Sequence, residues 1–145
     1  MSTLIHNRKA QFNYEILERF QAGIELLGQE VKSLKQGQAS LDGSYVTVRG
    51  AEAFVINMNI APYQIGNAKD YDPFRIRKLL LTKDEIKKLA ELESGLTIVP
   101  ISVYNKERKL KVEIAAVRGK KQFDKRQSIK KRDTEREVRR QFRDR

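Results

Sequence analysis

The sequence predicts a mainly β domain with helices, folded as a small antiparallel barrel and followed by a basic C-terminal tail. Three observations predict it. Apolar and polar residues alternate over about six short stretches, the period of strands with one buried face. Between them the period lengthens to three or four at Gln29 to Gln36 and Thr82 to Gly95, and Asp72-Pro73 opens a further helical stretch, giving about three flanking helices. From Arg118 onward 13 Lys or Arg stand against 5 Asp or Glu, so eight of the eleven net positive charges lie in the last fifth of the 145 residues. An apolar content of 39% supports one modest core, hence one domain and a tail.

The elements follow in order. Residues 1–9 read as a flexible basic N-terminus, with Asn7-Arg8-Lys9 either solvated or touching phosphate. The barrel is expected over 10–118. Tyr14 and Ile16 alternate, Phe20-Gln21-Ala22-Gly23 supplies a turn or bulge, and Ile24 and Leu26 resume, which predicts two paired strands. Leu27, Val31 and Leu34 then place a two-turn helix over 29–36, stopped by Gly37, with Lys32 and Lys35 sharing its flank. Leu41 to Arg49 and Ala53 to Ile60 form a hairpin around Arg49-Gly50-Ala51. Gln64 to Tyr71 is a loop, after which Pro73 suits a first helical turn and Leu79, Leu80 and Leu81 are read as core beside Arg75, Arg77 and Lys78. Thr82 and Glu85 make a T-x-x-E capping box for a helix with a buried stripe of Ile86, Leu89 and Ala90, closed by Gly95. Thr97 to Tyr104 and Lys109 to Val117 are strands joined at Asn105-Lys106-Glu107-Arg108. Three hairpins around central helices fit an antiparallel barrel; the oligonucleotide-binding (OB) Greek key suits the size and charge, although periodicity alone does not select it.

A net charge of +11 points to nucleic acid ahead of an anionic membrane. No apolar run approaches 18 residues, no signal-peptide core follows Met1, and the tail offers only Ile129, Val138 and Phe142 as apolar anchors. A soluble, cytoplasmic monomer is expected. The absence of cysteine excludes a disulfide framework and thiolate chemistry, and the lone His6 excludes a multi-histidine metal site. There is no Gly-rich phosphate loop and no nucleophile-base set, and Asp70, Asp72, Asp84 and Glu85 read as turn and cap residues. No catalytic residue, metal ligand or cofactor is assigned.

The tail, 119–145, begins with GKKQFDKRQSIKKR over Gly119 to Arg132. Such a block repels itself and buries little apolar surface, so the free tail is expected to be disordered. Written as a helix, Arg132, Arg136 and Arg140 fall on one stripe at i, i+4, i+8, while Ile129 and Val138 face nearly opposite ways. Phosphates along the stripe would favour the helix, so a tail that folds on RNA is expected. Phe12, Tyr14, Tyr45 and Phe123 stand among charges, as rings that stack on bases do.

Asn7-Arg8-Lys9-Ala10, GIELLGQEVKSLKQG (23–37), Ser44-Tyr45, Ile60-Ala61-Pro62-Tyr63, DPFRIRKLLLTKDEI (72–86), TIVPISVY (97–104) and GKKQFDKR (119–126) together resemble the small protein B (SmpB) family of bacterial tmRNA-binding proteins. The resemblance covers about residues 7–132. It implies an OB-fold barrel with flanking helices that binds the tRNA-like domain of tmRNA and escorts it to stalled ribosomes in trans-translation, with small-subunit RNA as second partner and a binding rather than catalytic role. By motif position Asn7, Gln21, Lys32, Lys35, Leu80 and Lys111 belong to the tmRNA-binding side or its support, and the charge and ring arguments add Arg8, Lys9 and Tyr45. Gly119, Lys120, Lys121, Phe123, Asp124, Lys125 and Arg126 are implied at the ribosomal decoding centre, and Lys130, Lys131, Arg132, Arg136 and Arg140 along the mRNA channel. Three positions depart from the family pattern: Gln21 replaces a common glutamate, Phe12 a frequent histidine and Gly43 an aspartate. Gln21 keeps hydrogen-bonding capacity without charge, and Phe12 keeps a stacking face. The alternatives are a ribosomal or general structured-RNA-binding protein without tmRNA preference and, more distantly, an RNA-processing enzyme.

Overall fold

The computed structural model describes residues 2–64 and 69–119. Its elements are β1 (Ser2–His6), α1 (Arg8–Asn13), β2 (Tyr14–Ile24), α2 (Gly28–Lys35), β3 (Ala39–Ser40), β4 (Tyr45–Arg49), β5 (Glu52–Ile56), β6 (Asn59–Ile60), β7 (Arg77–Leu80), α3 (Lys83–Glu93), β8 (Thr97–Lys106) and β9 (Lys109–Gly119). The pairing order β8-β4-β5-β7-β2-β9 returns to β8 through the β8–β9 hairpin, which closes six antiparallel strands into a barrel. Closure needs bent strands, and the long strands supply register irregularities between Ile16 and Glu18 on β2 and between Pro100 and Ser102 on β8. Inside, Ile24, Leu34, Val55, Leu79, Leu89, Ile98 and Ile114 are among the residues of one continuous core. A second, smaller cluster packs Ala10 of α1 against Val99, Ile101, Ala115 and Val117 on the outer face of β8 and β9.

Three sequence expectations are corrected. Residues 2–9 are not a loose terminus: β1 pairs with β8 from Ser2↔Asn105 to His6↔Ser102, and Ile5 enters the core. Asn7 locks the entry to α1, its Oδ1 accepting from Ala10 N–H at 3.1 Å and its Nδ2 donating to Pro100 O at 2.9 Å and Leu41 O at 3.3 Å. A reading by charge overlooks that one buried amide with three partners orders a short terminus. Next, β2 runs unbroken through Phe20 to Gly23, and its irregularity lies nearer its start. Finally, Asp72-Pro73 does not begin a helix. The Asp72 carboxylate accepts from Phe74 N–H at 2.9 Å, a local turn, and the chain then extends into β7. The third helix is α1 instead, and β9 continues through Gly119, which pairs with Tyr14 one residue past the expected barrel boundary.

Two core assignments also fail, since Leu80 is 49% exposed and Ala90 of α3 is exposed, but the local end signals hold. In the α3 capping box Thr82 Oγ1 accepts from Glu85 N–H at 3.2 Å and Glu85 Oε1 accepts from Thr82 N–H at 2.9 Å. Leu89 is its buried residue and Ile86 is half-buried, whereas Ala90 faces solvent. Glu93 at its other end accepts from Val48 N–H at 3.2 Å, tying α3 to β4. The β8–β9 hairpin turns on Glu107 and Arg108, at φ 50° and 68°. Left-handed backbone costs a side-chain-bearing residue roughly 1–2 kcal/mol, so this turn is strained at both central positions.

Candidate nucleic-acid interface

The first half of the interface is built on a glycine. Gly23 of β2 stands between Leu80 of β7 and Lys111 of β9 in one cross-strand row. A Cβ on Gly23 would lie 3.1 Å from Leu80 Cβ, so the missing side chain lets Leu80 lie across β2. Leu80 is 49% exposed, unlike its core neighbour Leu79 and the half-buried Leu81. Around it opens a groove of about 360 Å³ lined by Lys35, Arg108, Lys109 and Lys111 among others. No carboxylate lines it, and none of these four cations has an ion-pair partner among the described residues. Some of the other surface cations are neutralised: Lys78 by Glu52, Lys88 by Glu18, Arg19 by Glu113 and Arg118 by Glu15.

Helix α2 is held in place by a buried ionic cluster that the sequence did not announce. Glu30 and Arg77 are both fully buried. Arg77 donates to Glu30 Oε2 through Nη2 at 2.6 Å and Nε at 2.8 Å, and also reaches the Met58, Arg75 and Pro73 carbonyls. Arg75 Nη2 donates to Glu30 Oε1 at 2.7 Å, Tyr71 O–H to Glu30 Oε2 at 3.0 Å, and Leu27 N–H to Glu30 Oε1 at 2.8 Å. Burial alone would raise the Glu30 pKa, but hydrogen bonds from Arg75, Arg77 and Leu27 outweigh it and lower it from 4.5 to about 2. The same contacts raise Arg75, and burial with the nearby Glu30 charge raises the Tyr71 phenol. The carboxylate is therefore ionised and fully bonded, and it clamps the 71–77 segment to the helix that carries Lys32 and Lys35.

Lys32 and Lys35 do not share a groove. Lys32 Nζ lies 5.3 Å from the Tyr63 ring centroid, in a shallow cleft of about 480 Å³ with Leu27, Gln29 and Gln64. A third groove, of about 600 Å³, brings Lys9 and Tyr45 together with Asn13, Tyr14, Gly43 and Ser44. Asn7 also borders it, but the residue is 3% exposed and its amide is hydrogen-bonded at both ends, so it lies beneath the groove floor. Lys9 has a loose, solvent-exposed pairing with Asp42 at 3.7 Å, and Tyr45 is 40% exposed. Arg8 and Gln21 are exposed outside these three grooves; Gln21 pairs across the sheet with Glu113, the partner of Arg19.

Three residues that line these grooves escaped the sequence reading. Arg108 was assigned only to a turn and Lys109 only to the start of a strand; the odd-numbered run Lys109, Lys111 on one strand face was the available signal. Asn13, whose Oδ1 is buried without a hydrogen-bond partner at the edge of the Tyr45 groove, has no sequence signal at all. Gly119 ends β9 and is exposed. Lys120, Lys121, Phe123, Asp124, Lys125, Arg126, Lys130, Lys131, Arg132, Arg136 and Arg140 lie outside the described residues. Among the described residues no three His, Cys, Asp or Glu stand together as metal ligands, and no helix is long and apolar enough to cross a membrane.

Comparison with known proteins places this geometry. The family model described as SmpB protein matches residues 4–144. An SsrA-binding protein of Malacoplasma penetrans is 52% identical over 145 residues, covering 99% of each chain. One from Clostridium botulinum is 47% identical over 146 residues, covering 99% of this chain and 94% of the relative. A solved chain from "tmRNA-SmpB: a journey to the center of the bacterial ribosome" superposes with a TM-score of 0.70 at 44% identity, covering 83% of this chain and 86% of that one. With nearly the whole chain matched by the family model and by relatives that share about half their residues with it, this protein belongs to the SmpB family.

Proposed function

We propose that this chain binds the tRNA-like domain of tmRNA through its barrel and brings it to stalled ribosomes in trans-translation. The observation that carries the reading is the Leu80 groove, where four cations without ion-pair partners among the described residues surround an exposed apolar side chain. Cations already neutralised by a carboxylate release few counterions on meeting phosphate, whereas free ones release theirs. The Tyr45 groove adds an exposed ring beside Lys9, a stacking surface with a phosphate partner. Names and structure of the relatives support the choice of tmRNA among RNAs. In this reading the protein is an adaptor in the cytoplasm, working as a monomer and without catalysis. The segment from Lys120 onward, with Phe123 and the Arg132, Arg136, Arg140 stripe, enters the vacant decoding centre and mRNA channel and becomes helical there.

Binding to the tRNA-like domain by the full chain and by a truncation after Gly119, at fixed salt and with bulk tRNA as competitor, tests the division of labour. Similar affinity and preference in both is the expected result, since the described grooves all precede Lys120. Loss of most affinity on truncation, with no preference over bulk tRNA in the full chain, would leave a general electrostatic RNA binder instead.

A further inference from the structure

We infer that Arg108, together with Lys109, is an RNA phosphate-binding residue held at the rim of the Leu80 groove by a strained hairpin turn. The inference rests on the RNA-binding reading above. Lys106 pairs with Lys109, leaving Glu107 and Arg108 as a two-residue turn with both at positive φ. Asn and Gly adopt that backbone readily, and neither is present here. No hydrogen bond or ion pair holds either side chain among the described residues, and both residues are exposed, so no local contact explains the choice. What distinguishes Arg108 is its position at the rim of the groove that Lys35, Lys109 and Lys111 share around Leu80. A guanidinium presents a planar fork that donates to two phosphate oxygens at once, while the lysines add point charges and Leu80 offers an apolar seat for ribose or a base edge. The occupant of this chemistry is a phosphodiester segment of a folded RNA strand.

Strain retained for binding makes an unusual prediction: the variant that relaxes the turn folds better and binds worse. The test uses the full chain, a transcript of the tmRNA tRNA-like domain as probe, and thermal melting beside affinity at several salt concentrations. Arg108→Gly is expected to raise the melting temperature by roughly 2–6 °C. It is also expected to weaken binding about three- to tenfold and to lower the slope of log affinity against log salt by about one. Glu107→Asn, which relaxes the neighbouring position without removing a cation, gains stability and keeps the slope. Arg49→Ser removes an equal charge from β4 outside the groove and also keeps the slope. An unchanged slope in Arg108→Gly, or a slope lost equally in Arg49→Ser, overturns the assignment of Arg108, as does a melting temperature that fails to rise. Failure of the wild type to prefer this probe over bulk tRNA is a separate result: it removes the tmRNA reading while a specific loss in Arg108→Gly still supports the phosphate contact.

Discussion

Glu30 shows how much one buried carboxylate can govern. Its pKa is held at about 2, against an ordinary 4.5, so the native state binds its proton less readily than the unfolded chain does. A group lowered on folding contributes stability that is fully present above the unfolded pKa and disappears as pH falls through the folded one. The Glu30 contribution is therefore complete above about pH 4.5 and is lost between there and about pH 2, a change on the order of 3 kcal/mol. Glu30→Gln leaves Arg77 buried without its counter-charge and is expected to cost about 3–5 kcal/mol at pH 7. Urea titrations of both proteins from pH 7 to pH 2 check this: the stability gap should narrow only below about pH 4.5. A gap that stays constant with pH would mean that the cluster is held by packing and not by charge.

At the scale of elements, the readable parts were those whose signal is local. The T-x-x-E box, the period of α2 and the alternation of β8 and β9 all depend on neighbours in sequence, and each element formed where the pattern put it. The stretch after Asp72 failed for the opposite reason. Asp72-Pro73 suits a helix start, but the partners of Arg75 and Arg77 sit on α2, more than forty residues away, and that long-range cluster draws the segment into extended chain. The ordering of the N-terminal segment by Asn7 and Ile5 was missed likewise, because their partners are on β8 and in the core. Of the residues lining the candidate Leu80 groove, Lys35 and Lys111 were named from family motifs and Leu80 likewise, its own pattern reading as core, but the sequence could not say that Lys32 and Lys35 line different grooves, nor that Arg108 lines that of Leu80. A local element should also be separable from function. Thr82→Ala removes the α3 cap and is expected to cost about 1 kcal/mol in denaturant stability. RNA affinity should be unaffected, since no residue of α3 lines the described grooves. A parallel loss of affinity would place α3 in the interface.

Across the whole molecule, surface cations divide into two populations that net charge cannot distinguish. Lys35 and Lys111 line the Leu80 groove without an ion-pair partner among the described residues, while Lys78 and Lys88 are paired with Glu52 and Glu18 on other parts of the barrel. Removing either pair subtracts the same two charges and weakens long-range attraction to RNA alike. Only contacts that displace counterions from phosphates set the salt slope, however, at a little under one unit per phosphate neutralised. Lys35→Ala with Lys111→Ala is therefore expected to reduce the slope for the tRNA-like domain by roughly two and affinity by at least tenfold at ~0.15 M salt. Lys78→Ala with Lys88→Ala frees two carboxylates and lowers affinity slightly at low salt, but the slope should stay close to that of the wild type. Equal slopes in the two double variants would mean that the field of the whole barrel, and not one groove, holds the RNA.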